Sequence, residues 1–120
     1  MSASPRIVVI GLGYVGLPLA VHLARHFDIV GFDVDAGRVA ELQAGQDRTG
    51  EIEGADLDAS RMTITDDESA IDGADVFIVT VPTPVDSNNQ PDLGAVRAAS
   101  ETVSRHIAKG AIVVYESTVY

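Results

Sequence analysis

The chain has no cysteine among its 120 residues, which excludes disulfides, thiolate metal sites and a cysteine nucleophile within it. Basic residues are scarce as well: 8 Lys and Arg stand against 18 Asp and Glu, a formal charge of -10. Such a chain has no basic patch to neutralise phosphates, so neither a nucleic acid nor an anionic membrane surface is expected as a partner. Any phosphate bound here must be held by backbone N–H groups. His22, His26 and His106 have no acidic or second histidine partner at metal spacing and read as structural or surface residues. No Ser/His/Asp triad can be assembled, and Ser117 lacks the strand-turn-helix context of a nucleophile elbow. A long uninterrupted hydrophobic run is missing too. Ile7 to Ala24 carries no Asp, Glu, Lys or Arg, but three glycines and Pro18 break it and no cleavage pattern follows. A cytoplasmic protein is expected rather than a targeted or membrane-spanning one.

What the chain does have is Arg6-Ile-Val-Val-Ile10 running into Gly11-Leu12-Gly13-Tyr14-Val15-Gly16, with Asp33 at the end of the next apolar run. Ile7 to Ile10 is a continuous β-branched stretch of the kind a strand buried on both faces requires. Gly11 permits the tight turn out of that strand, Gly13 lets backbone approach a pyrophosphate, and Gly16 lets the next helix pack close to the sheet. That helix aims unpaired N–H groups and the positive end of its dipole at the phosphates. Chance produces many glycine-rich hexapeptides. Here the hexapeptide lies between strand and helix, with an acidic residue seventeen positions past Gly16, and that context gives it meaning.

Along the chain, strand alternates with helix. Tyr14 to Arg25 reads as a helix, Asp28 to Phe32 as a strand, and Asp35 caps a helix through Gln43 that Gly45 stops. Gln46 to Arg61 is polar, acidic and aperiodic. Met62 to Thr65 alternates as a strand, Asp66 to Ile71 fits a short helix capped by Asp66, and Val76 to Val81 is a buried strand ended by Pro82-Thr83-Pro84. Asp92 caps a long helix to about Ala108 with a stripe of Leu93, Val96, Ala99, Val103 and Ile107, and Ala111 to Tyr115 is a last strand. This order predicts an α/β fold, a doubly wound parallel sheet with strand order 3-2-1-4-5 and ligands at the carboxyl ends of strands one and four.

Three segments converge on that edge: Gly11 to Gly16, Val81 to Pro84, and Glu116-Ser117-Thr118. Asp33 sits where an adenosine ribose would lie, and its carboxylate accepts hydrogen bonds from both ribose hydroxyls while repelling a 2'-phosphate, which favours NAD over NADP. As a plainer alternative Asp33 caps the next helix, a job Asp35 fills equally well. Arg38 is read either as a solvated surface charge or as a residue lying along the adenine or bridging to Asp33. Thr83 can be a turn-forming hydroxyl and Thr118 a helix cap.

These residues resemble one family: the N-terminal domain of the UDP-glucose/GDP-mannose dehydrogenases. Gly-Leu-Gly-Tyr-Val-Gly-Leu-Pro-Leu-Ala (11 to 20), Gly-Phe-Asp-Val-Asp (31 to 35) with Arg38, Val-Pro-Thr-Pro (81 to 84), Gln-Pro-Asp-Leu (90 to 93) and Val-Tyr-Glu-Ser-Thr-Val-Tyr (114 to 120) follow its pattern in order, over essentially the whole chain. The Val-Pro-Thr-Pro and Tyr-Glu-Ser-Thr-Val-Tyr segments look most like the UDP-N-acetylhexosamine 6-dehydrogenases, since UDP-glucose 6-dehydrogenases usually carry a lysine at the position of Glu116. The resemblance implies a Rossmann fold and oxidation of the sugar C6 hydroxyl to a carboxylate in two NAD-dependent steps, for surface polysaccharide. By position it implies that Gly11, Leu12, Gly13, Tyr14, Val15 and Gly16 meet the pyrophosphate. It gives Asp33 and Arg38 the adenosine end, and Val81, Thr83 and Thr118 the nicotinamide side. Thr118 also matches a threonine beside the catalytic water. It further implies that residues 1–120 are the NAD-binding domain alone, with the central helix, the UDP-sugar-binding domain, the catalytic cysteine and the lysine beyond Tyr120. A homo-oligomer is expected of the full-length enzyme and not of this domain. The other readings to be tested are a UDP-glucose enzyme, a hydroxyacid dehydrogenase and a stand-alone NAD-sensing module.

Overall fold

A computed structural model describes residues 5–48, 50, 52, 62–85, 87–90 and 92–116. Five parallel strands, β1 (Arg6–Ile10), β2 (Asp28–Phe32), β3 (Thr63–Thr65), β4 (Val76–Val79) and β5 (Ile112–Tyr115), form one sheet in the order β3-β2-β1-β4-β5. The helices are α1 (Gly16–Leu23), α2 (Ala36–Gln43) and α3 (Gly94–His106), with a 3-10 turn at Glu68–Ile71. The strand order is the one the alternation of elements predicts.

β1 is central and is apolar from Ile7 to Ile10, because both its faces are covered there. Ile7 and Val9 pack with Leu17, Ala20 and Val21 of α1 and Leu42 of α2, whereas Val8 and Ile10 pack with Ile71, Phe77, Ala99 and Val103 on the other side. Burying a side chain of this size contributes roughly 1.5–3 kcal/mol. The polar carboxyl edge opens where β1 stops: Gly11 N donates to Phe32 O and Thr80 N to Ile10 O, each at 2.8 Å, and beyond these bonds the loops diverge. The stretch from Ile7 to Ala24 is thus divided between a strand and a helix, and among the described residues no helix is long and apolar enough to cross a membrane.

Several boundaries differ from the sequence reading. α1 starts at Gly16 instead of Tyr14, with Val15 in the cap position and no side chain capping it. β4 ends at Val79 because Thr80 turns its hydroxyl back onto the carbonyls of Ile10 and Gly11, at 3.0 and 2.7 Å. The Asp66-capped helix is a 3-10 turn capped by Asp67, whose Oδ1 accepts from Ser69 N. Asp92 accepts from Gly94 N two residues ahead of α3 while Leu93 holds the cap position, and the apolar stripe of that helix is buried only at Ala99 and Val103, with Leu93 and Ile107 exposed at its ends. Most of 46–61 lies outside the described residues, as do 117–120.

α3 is joined to the 3-10 turn by charge. His106 Nε2 lies 2.8 Å from Glu68 Oε1 and its Nδ1 3.1 Å from Asp72 Oδ1, while Arg105 Nε donates to Glu68 at 2.6 Å. Glu68 and then Asp72 raise the imidazole above its ordinary value, and Arg105 followed by His106 pulls the Glu68 carboxyl down to about 2. Folding therefore favours protonated His106, a contribution present below 6.5 and lost as pH rises through the elevated native value. The contribution of Glu68 is present above 4.5 and lost as pH falls towards about 2. Melting temperatures taken from about pH 5.5 to about pH 9 should show wild type losing its advantage over a His106→Asn variant as pH rises. A constant difference between the two proteins would mean that the imidazole charge contributes nothing.

Candidate functional site

The loop from Gly11 to Gly16 follows β1 and lies against the end of β4. Gly11 adopts φ +95°, a conformation that side chains other than glycine's disfavour, and so turns the chain out of the sheet. Gly16 is in contact with this turn: a Cβ there would fall on the Gly11 carbonyl oxygen and on Thr80 Oγ1. Gly13 is different. It is exposed, and a Cβ built on it meets nothing within 4 Å.

Two adjoining cavities meet at this point. One, of about 350 Å³, is lined by Gly13, Tyr14, Val15, Thr80, Val81, Pro82 and Glu116. The other, of about 240 Å³, runs past Leu12, Gly13, Val81 and Pro82 to Asp33 and Val34. Together they make a groove across the carboxyl ends of β1, β2 and β4, at the point where the strand order reverses direction.

Asp33 does not cap α2; Asp35 does, accepting from Arg38 N at 3.1 Å. The Asp33 carboxylate reaches back to the loop, where Oδ2 accepts from Leu12 N at 2.8 Å and Oδ1 from Asp35 N at 2.9 Å. Each oxygen accepts one backbone N–H and keeps a lone pair for a further donor. The half-buried carboxylate is thus held in a fixed direction by the backbone.

Arg38, only 6% exposed, is neither a solvated surface charge nor a bridge to Asp33. Nε donates to Leu12 O at 2.8 Å, and Nη1 is shared by Glu41 at 3.0 Å and Asp47 at 2.8 Å. Burial lowers its pKa, but the hydrogen bonds from Glu41 and Asp47 outweigh that and hold it above its ordinary value, so it is a permanent cation. Its Nη2 is a buried nitrogen with no hydrogen-bond partner among the described residues. An unpaired buried donor is costly unless something supplies an acceptor.

The other expected site residues are placed as follows. Leu12 is fully buried and lends its main chain to the loop, Tyr14 and Val15 are exposed on the groove wall, and Val81 lines both cavities. Thr83 is 3% exposed and lines neither cavity. Glu116 reaches the larger cavity from the end of β5, its N–H bonded to Val79 O at 2.9 Å, whereas Ser117 and Thr118 fall outside the described residues. Sequence reasoning missed three participants. Thr80 locks the Gly11 turn; a hydroxyl at the carboxyl end of an otherwise apolar strand was the available signal. Val34, 80% exposed beside Asp33, offers an apolar face at that end of the groove. Asp47 holds Arg38 from a stretch with no periodicity to mark it. No group of three or more histidine, cysteine or acidic residues fit to hold a metal occurs among the described residues.

The donor set fits a dinucleotide: an open glycine at the groove centre, an uncapped helix start, a pre-aimed carboxylate and an apolar face beside it. A family model described as the UDP-glucose/GDP-mannose dehydrogenase family, NAD binding domain, matches residues 5–120. The chain is 49% identical over 116 residues to a UDP-N-acetyl-D-glucosamine 6-dehydrogenase of Pseudomonas aeruginosa, covering 96% of this chain and 28% of that protein. A structure of a UDP-D-ManNAc dehydrogenase from Pyrococcus horikoshii superposes with a TM-score of 0.85 at 35% identity, covering 94% of this chain and 28% of that one. A UDP-glucose dehydrogenase from Pyrobaculum islandicum superposes equally well, at 0.85 with 32% identity, over 98% of this chain and 30% of that one. The chain therefore spans little more than a quarter of the relatives it matches. It belongs to the UDP-glucose/GDP-mannose dehydrogenase family, as an NAD-binding domain of the Rossmann type.

Proposed function

We propose that this domain seats NAD along the groove and works as the cofactor half of a cytoplasmic UDP-N-acetylhexosamine 6-dehydrogenase that makes uronic acids for surface polysaccharide. The observation that carries the placement is the double hold on Leu12, N–H by Asp33 and C=O by Arg38, which fixes the loop before any ligand binds. In this reading the pyrophosphate lies over Gly13 and the start of α1, with the adenosine ribose on Asp33 and the adenine against Val34. The nicotinamide end then lies towards Val81, Pro82 and Glu116, with Thr83 buried in that loop and Thr118 following it. When bound, NAD accepts hydride. The protein's own task here is to orient it and to wall off water with Tyr14, Val81 and Pro82. No cysteine is available for a covalent second oxidation, so residues 1–120 are proposed to bind cofactor and leave the chemistry to a further part of the protein, with a central helix and a UDP-sugar domain.

The substrate class rests on the named activity of the Pseudomonas relative and on Glu116, and a UDP-glucose enzyme is the second reading, favoured by the Pyrobaculum likeness. Turnover followed by the absorbance of reduced nicotinamide separates them. Full-length protein should reduce NAD with UDP-N-acetylglucosamine or an epimer and much less with UDP-glucose, and the 120-residue domain should reduce none. Preference for UDP-glucose would reverse the substrate assignment, and turnover by the domain alone would refute the division of labour.

A further inference from the structure

Asp47 lies on no helix or strand and lines neither cavity, yet its side chain is fully buried. A buried carboxylate is tolerated only where hydrogen bonds replace its water. Here Oδ1 accepts from Arg38 Nη1 at 2.8 Å and Oδ2 from the backbone N–H of Ile52 at 3.0 Å. The same guanidinium donates through Nε to Leu12 O. Because the guanidinium is planar and rigid, fixing Nη1 also fixes the direction in which Nε points. Glu41 shares Nη1, but it is partly exposed and is also engaged by Arg48, so it is the looser of the two holds.

The consequence lies one bond further on. Leu12 C=O and Gly13 N–H belong to one planar trans peptide, so the two groups point in opposite directions. Drawing the Leu12 carbonyl onto Arg38 turns the Gly13 N–H to the other side, at the residue where the groove is open and no Cβ intrudes. A donor aimed before binding avoids the ordering cost that a free loop would incur on association.

We infer that Asp47 is a positioning residue for the cofactor: through Arg38 it orients the Leu12–Gly13 peptide whose N–H faces the pyrophosphate. This rests on the proposed placement of NAD with its pyrophosphate over Gly13. Asp47 touches no cofactor, and its effect passes through Arg38.

NAD titrations by calorimetry on full-length protein test this. Asp47→Asn should raise the dissociation constant about tenfold, the scale of one charged hydrogen bond. In an Arg38→Met background the same change should add nothing, since the route through Arg38 is already gone. Wild-type affinity in Asp47→Asn overturns the inference. So does an equal loss in both backgrounds, which would mean that Asp47 acts only by holding the chain at Ile52. Should Asp47→Asn fail to fold, Arg38→Lys replaces it: lysine keeps the charge without the fork, and undiminished NAD affinity there would overturn the inference equally. Gly13→Val separates the underlying reading. If that variant binds NAD normally, the pyrophosphate is not over Gly13, and the placement fails whatever Asp47 does.

Discussion

Calorimetric titration of a Gly13→Val variant is expected to show no NAD binding, with the melting temperature close to that of wild type. At the same loop, the far smaller change Gly16→Ala is expected to damage the fold itself. The contrast follows from where each missing Cβ would sit. At Gly13 nothing lies within 4 Å and φ is not positive, so the folded chain accommodates an isopropyl group. That group occupies the space through which backbone must approach a phosphate, and a hydrogen bond of roughly 2.9 Å cannot form across it. At Gly16 the Cβ falls on the Gly11 carbonyl oxygen and Thr80 Oγ1, two atoms that bond each other at 2.7 Å. Neither is the free end of a flexible side chain. Relief requires α1 to move off the sheet or the Gly11 turn to open, and overpacking of this kind costs roughly 1–3 kcal/mol or more. Thermal unfolding should register about 10 °C for Gly16→Ala in a domain of this size. NAD binding by Gly13→Val would remove the pyrophosphate from the loop; a normal melting temperature for Gly16→Ala would mean that the close approach is not needed.

The parts of this site that were legible in sequence are those fixed by local requirements. β1 and β2 were readable because a strand covered on both faces must be apolar at successive positions, and Ile7 to Ile10 and Ile29 to Val30 are. The glycine spacing was readable because each glycine answers a separate backbone demand. Asp33 was readable as the acidic residue that ends β2. What was not legible depends on partners distant in sequence. Arg38 looks like a surface cation until the fold brings up Leu12 O, Glu41 and Asp47, and Asp47 comes from a stretch whose polarity suggested only a loop. Its burial is a property of the assembled network and not of any window around it. The ends of the α3 stripe were overread for the converse reason: helical periodicity marks Leu93 and Ile107 as apolar positions, but the sheet beneath reaches only as far as Ala99 and Val103. The choice between Asp66 and Asp67 as the cap turned on a single residue of register, which tertiary packing decided.

Asp33→Ala carries the other large effect, and it separates the ribose from the loop. In wild type the carboxylate holds Leu12 N–H and Asp35 N–H, and the proposed ribose diol would use the remaining lone pairs. Removing a charged hydrogen-bond acceptor costs roughly 1.5–3 kcal/mol, which is about ten- to 150-fold in NAD affinity. Part of that loss arises before binding, because the Leu12–Gly13 region loses one of its two holds. Asp33→Asn divides the contributions. The asparagine oxygen can still accept from Leu12 N–H, so the loop is retained, but the charge that orients the diol and repels a 2'-phosphate is gone. NAD affinity in Asp33→Asn should therefore lie between wild type and Asp33→Ala, while NADP affinity rises above that of wild type. If both variants bind NAD as tightly as wild type, Asp33 serves the loop alone and the ribose lies elsewhere. If Asp33→Asn matches Asp33→Ala towards NAD and gains nothing towards NADP, the carboxylate faces the loop but not the 2'-position. In that case the discrimination between the two cofactors falls to the fixed, doubly neutralised guanidinium of Arg38, which two carboxylates keep from serving as a phosphate ligand.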